Sequence, residues 1–130
     1  MPARRVEKLV SPSDEGRGRV LGKKPGDKGW KYAEYDMDLK EGFDFKALQK
    51  MVGNSIFASL RLDEDFVLIC DENGSLNGSK PNVGLANQNG EVLTLVGPIA
   101  VVRVTRKGAF VGLLPGDGEL IGETFDWRAL

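Results

Sequence analysis

The sequence predicts an α+β domain: a curled antiparallel sheet of about five to seven strands with one short helix packed on it. Three observations predict it. Short apolar runs rich in Val, Ile and Phe recur along the chain and read as strands. The segments between them ("DED", "ENGS", "NQNG", "KG", "PGDG") are turn chemistry, too short for the crossover that parallel neighbours need. One stretch alone, "GFDFKALQKMVGN", carries helical periodicity and both end signals.

In chain order, residues 1–29 differ from the remainder. "SPSDEGRGRVLGKKPGDKG" is rich in Ser, Pro, Gly and charge and reads as a flexible basic arm, with "EKLV" and "RVL" as edge strands. Residues 30–130 form the single α+β domain, the size expected for one core. "GWKYAEYDMDL" alternates as a half-buried strand. In the helix, Asp44 is placed to cap the N-terminus and Phe43 to staple against Leu48. Phe45, Leu48, Met51 and Val52 then fall on one face, and Gly53 is a stop. "SIFASLRL", "FVLIC", "EVLTLV", "IAVVRVTR" and "AFVGLL" follow as strands. Asn73-Gly74 suits the centre of a type I′ hairpin turning "FVLIC" back into "SLNG". The C-terminal "ETFDWRAL" carries Phe125 and Trp127, expected to dock on their own domain or, failing that, to form a homodimer contact.

Composition narrows the function. Eighteen basic and nineteen acidic residues leave a net charge of −1, which argues against a dedicated duplex-DNA binder. The longest apolar runs are far too short to span a bilayer, and the N-terminus has no apolar signal core, so the expectation is a cytoplasmic protein without membrane contact. The chain holds no histidine and one cysteine. That removes histidine-dependent nucleophilic catalysis and the common Cys/His zinc sets. Acidic Asp71 and Glu72 beside Cys70 oppose its thiolate. No enzyme activity, cofactor or metal is expected.

Two near-motifs fail on spacing. A calcium loop begun at Asp71 would need glycine at its sixth position and glutamate at its twelfth, where Leu76 and Asn82 stand. "GKKPGDKG" lacks the lysine and hydroxyl residue that a phosphate-binding loop needs after its second glycine.

The pieces "FKALQKMVGNSI", "FVLICDENGSLNGSKPN" and "GEVLTLVGPIAVV" resemble an uncharacterised domain-of-unknown-function family of small bacteriophage, plasmid and bacterial proteins. That family's pattern is an LQ-x-x-VGG helix, a C-N-E-E-G-K-L-x-G-L-P-x-N-R loop and an E-N-G-E turn. Leu48, Gln49, Val52 and Gly53 match the helix. Cys70, Glu72, Gly74, Leu76, Gly78, Pro81 and Asn82 match the loop, and Asn89, Gly90 and Glu91 match the turn. Asn54, Lys80 and Val83 depart from it. The resemblance runs from Tyr32 to Leu114 and implies a mobile-element setting rather than a reaction.

The leading expectation is therefore a phage-like accessory protein that acts by binding. It would sequester a nucleotide-type signal or occlude a host defence factor, and its partner is a small molecule or a host protein. The residues expected to meet such a ligand are Asn77, Lys80, Asn82, Arg61 and Arg103, as amide donors and phosphate partners. A first alternative is nucleic-acid binding through Arg4, Arg5, Lys23, Lys24, Arg106 and Lys107, with Trp30 or Tyr32 stacking on bases. A second is a magnesium-dependent enzyme using Asp63, Asp65 or Asp71.

Overall fold

A computed structural model of the chain describes residues 16–53, 56–74 and 78–130. It is an α+β fold in layers. The larger sheet has six antiparallel strands: β1 (Arg17–Lys23), β2 (Lys31–Asp36), β3 (Phe57–Arg61), β4 (Phe66–Asp71), β7 (Ile99–Val104) and β8 (Phe110–Val111). Their order is β2-β1-β7-β4-β3, with β8 beside β7. A second sheet, β6-β5-β9, is built from β5 (Pro81–Ala86), β6 (Val92–Val96) and β9 (Asp126–Arg128). Helices α1 (Phe45–Met51) and α2 (Asp117–Thr124) complete the fold.

Strand β7 explains the layering. All six of its residues are buried, because both faces of the sheet are covered at this strand. Ala100, Val102 and Val104 face α1, where Leu48, Met51 and Val52 join Val67 and Ile69 in one core. Ile99 and Val101 face the second sheet and α2, where Val83, Leu95 and Ile121 meet Phe66 and Leu68 in another. Strand β1 pairs with β7 from Leu21 to Lys23, while β8 takes the other half of the same edge. The two meet where Leu113 N donates to Arg19 O at 2.8 Å. Gly112 makes that approach feasible: a Cβ there would lie 2.8 Å from Gly18 Cα.

The helix read from sequence is α1. Asp44 Oδ1 accepts from Ala47 N at 2.8 Å, and Gly53 ends the helix in a left-handed conformation. Phe45 departs from the expected apolar face. It is 61% exposed and leans on Phe57, ring centroids 5.1 Å apart, because it sits in the first turn beyond the sheet's cover.

Three further elements correct the sequence reading. Residues 17–23 lie in the expected arm, where "RVL" reads as an edge strand; they form an inner strand between β2 and β7, with Val20 and Leu21 buried. The remainder of the proposed arm up to residue 15 lies outside the described residues. Strand β5 was hidden by its leading proline and interior glycine. Helix α2 replaces what read as a turn and tail; two internal glycines weaken its intrinsic propensity. The C-terminal aromatics dock on their own chain: Trp127 Nε1 donates to Ile121 O at 3.0 Å and its ring meets Trp30 at 4.9 Å. No helix among the described residues is long and apolar enough to cross a membrane.

Candidate anion-binding groove

The site begins where β4 ends. Asp71 Oδ1 accepts from Asn73 N at 2.9 Å, and Gly74 N donates to Asp71 O at 3.3 Å, which closes a tight turn. It is not the expected type I′ hairpin, for Gly74 is not in the left-handed region that such a turn requires. The reason is topological. Strand β4 already has β3 on one side and β7 on the other, so a returning strand would have no edge to join. The chain instead crosses to the second sheet and enters it at Pro81. Leu76, expected to return to the core, lies outside the described residues.

On entry, β5 is bulged. Pro81 opposes Val96 and Val83 opposes Leu95, so Asn82 is the extra residue. A bulge re-aims a side chain, and here Asn82 turns inward beside Val83, both buried. Its Nδ2 donates to Lys23 O and to Gly97 O, each at 2.8 Å, and its Oδ1 accepts from Lys23 Nζ at 2.9 Å. One amide thereby ties together the end of β1, the start of β5 and the β6–β7 connection. Gly97 completes the tie: its φ is +78° and its N–H donates to Lys80 O at 2.9 Å.

Above this clamp lies an open groove of about 430 Å³, walled by Lys24 and Pro25 on one side, Gly78, Ser79 and Lys80 on another, and Gly97 and Pro98. Lys24 and Lys80 are exposed, and neither ammonium forms an ion pair among the described residues. Two fixed carboxylates stand close by: Asp27 accepts from the Lys24 backbone N–H at 3.2 Å, and Asp71 packs beside Gly97, its Cβ 3.9 Å from where a Cβ on that glycine would stand. Two exposed ammonium groups, a serine and glycine-rich backbone on a pinned floor suit a phosphoryl or carboxylate group.

The expected ligand residues divide between two ends of the molecule. Lys80 lines the groove and Asn82 lies beneath it, with both amide hydrogens already donated, so its role is to hold the walls. Asn77 lies outside the described residues. Arg61 and Arg103 sit at the far end of the sheet, where Phe66 pairs with Arg103 and Val67 with Arg61. Arg103 lies four residue steps along β7 from Ile99, about 13 Å at the usual strand rise. Arg61 is engaged there by the carbonyls of Asp63 and Glu64 at 3.0 and 3.1 Å. Arg103 is not a surface contact at all. It is 1% exposed, pairs through Nε and Nη2 with both Asp117 oxygens at 2.9 Å, lies 5.0 Å over the Phe66 ring and has Asp65 at 3.6 Å. The partner that buries it, Asp117, belongs to the helix that sequence reading missed.

The residues of the alternatives are divided too. Lys23 is tied to Asn82 and Lys24 lines the groove, whereas Arg106 and Lys107 are exposed on the β7–β8 turn at the Arg103 end. Arg4 and Arg5 lie outside the described residues. Asp63 caps the backbone N–H groups of Asp65 and Phe66 at 2.8 and 2.9 Å, and Asp71 stands at the opposite end of β4, about 17 Å of strand away. Cys70 is half-buried, and burial first, then Asp71 and Glu72, pushes its thiol pKa up, which keeps it protonated. Ser79, Gly97 and Pro98 were missed because each reads alone as turn chemistry; only the bulge at Asn82 brings them together.

A family model described as a domain of unknown function, DUF3846, matches residues 19–126. The chain belongs to this family. No curated protein and no solved structure matches it.

Proposed function

We propose that this member of the DUF3846 family acts by binding rather than by bond-making chemistry. Its ligand is a small phosphorylated molecule of nucleotide type, held in the groove between Lys24 and Lys80. The observation behind it is two exposed lysines, without an ion pair among the described residues, over a floor pinned by Asn82. Arg17, by contrast, is paired with Glu34 and Asp36; neither groove ammonium has an ion pair among the described residues, so both are available to an external anion. The lack of histidine and the raised pKa of the sole thiol favour sequestration over catalysis. The phage and plasmid setting that the sequence resemblance implies supplies a reason to sequester, since nucleotide signals drive host defence.

Calorimetric titration with ATP, a cyclic dinucleotide and inorganic tripolyphosphate tests this. At least one should bind, and Lys24→Ala with Lys80→Ala should weaken it by about tenfold or more, the scale of losing charge-assisted contacts. If none binds, or if the double variant binds as wild type does, the reading is wrong.

A further inference from the structure

We propose that the outer edge of β3 is a homodimer interface, on which a second copy of the chain adds its own β3 antiparallel to make one continuous sheet. A bare strand edge is a template for pairing, and proteins normally blunt it with charge, a bulge, shortness or cover. Among the described residues the two sheet orders end at β2, β3, β6 and β9; two of these edges are blunted outright and a third in part. Edge β2 carries Lys31, Glu34 and Asp36, the two acids bridged by Arg17. Edge β9 is three residues long with Asp126 and Arg128 paired. Edge β6 exposes Val92 and Leu93 and is twisted in part, by the β5 bulge at Asn82 opposite its Val96 end.

Edge β3 shows less protection among the described residues. Its register with β4 is unbroken from Phe57 to Arg61, it contains no proline or lysine, and its one charge is the terminal Arg61. Beside it stand two of the most exposed large apolar side chains, Phe45 at 61% and Ile56 at 57%. Phe45 is stacked on Phe57, so this apolar surface is fixed in place rather than loose.

The occupant follows from the sequence of the edge. Antiparallel pairing of two copies about a dyad at Ser59 sets Ala58 opposite Leu60 and Ile56 opposite Leu62 on one face. On the other face it sets Phe57 opposite Arg61 and Ser59 opposite its own copy. Every apolar residue on the first face meets an apolar partner and no like charges oppose, which is the pairing that stabilises a sheet. Phe57 meets an Arg61 whose guanidinium is already held by loop carbonyls, leaving its stem and face for the ring. The helix α1 of each copy flanks the dyad on that side. The strand pair and its flanking phenylalanines make a small interface, at or below the standard size, so dimerisation should depend on concentration.

Sedimentation velocity of the full chain, from low micromolar to several hundred micromolar, reads the outcome. The expected result is a rise from the 14.2 kDa chain mass to twice that value. Ser59→Lys, an exposed position where two ammonium groups would meet at the dyad, should weaken the dimer by about tenfold or more. Ser59→Cys should give a disulfide-linked dimer under mild oxidation that wild type does not. A chain that stays monomeric throughout, a dimer unaffected by Ser59→Lys, or a dimer that Ser59→Cys fails to cross-link overturns the proposal.

Discussion

The two ends of β7 treat a basic residue in opposite ways. At its C-terminal end Arg103 is enclosed, its guanidinium matched by Asp117 and stacked on Phe66. At its N-terminal end Lys24 and Lys80 stand in solvent with no ion pair among the described residues. Both ends also contain one buried polar side chain that ties elements together: Asp117 locks α2 to the sheet, and Asn82 locks three segments under the groove. The lesson is that a polar side chain whose hydrogen-bonding capacity is filled by the fold is architecture. Function is to be sought where the charge is left over.

Breaking the enclosed end should have the largest effect. Asp117→Ala strands a buried guanidinium and the Leu114 N–H that the same carboxylate accepts at 2.7 Å, and the loss should be about 3–5 kcal/mol in urea unfolding. If the loss is below about 1 kcal/mol, the pair is not the anchor of α2. At the other end, Asn82→Ala leaves two buried carbonyls without their donor and should cost about 2–3 kcal/mol. It should also weaken ligand binding, because the groove loses its floor. Asp44→Ala removes the cap of α1 and should cost about 1 kcal/mol. It should leave binding unchanged.

The smallest stability effect sharpens the comparison most. Lys24→Ala and Lys80→Ala should each change stability by less than about 0.5 kcal/mol, since neither side chain is built into the fold. Alkaline pH supplies a separate check on the thiol. Burial raises the pKa of Cys70 above its ordinary 9.0, and burial likewise raises that of Tyr35 above 10.0. Both groups are neutral below those values, so their contribution to stability is whole at neutral pH and falls as pH rises through the folded-state values. Alkylation of Cys70 by iodoacetamide at pH 8 should accordingly run slower in the native chain than in the denatured one. Equal rates would mean that the thiol is neither covered nor electrostatically opposed.

Much of the fold was legible because its signals are local. The Asp44 cap, the Leu48, Met51 and Val52 stripe and the continuous apolar run of β7 all act within a few residues. What escaped depends on distant partners. Asp117 reads as part of a turn until Arg103 is placed opposite it, fourteen residues away in sequence. Asn82 reads as loop polarity until the bulge points it at Lys23, 59 residues away. Of the five expected ligand residues, Lys80 lines the groove, and Arg61 and Arg103 lie at the other end, because strand order, which sequence does not reveal, decides which basic residues are neighbours.

The most direct test of the left-over charge is a nuclear magnetic resonance titration of the labelled chain with inorganic tripolyphosphate, following backbone amides. Saturable shifts are expected at Lys24, Gly78, Ser79, Lys80 and Gly97, with Arg61, Arg103, Arg106 and Lys107 unmoved. Shifts centred on Arg106 and Lys107, or no saturable shift at the groove, would contradict it.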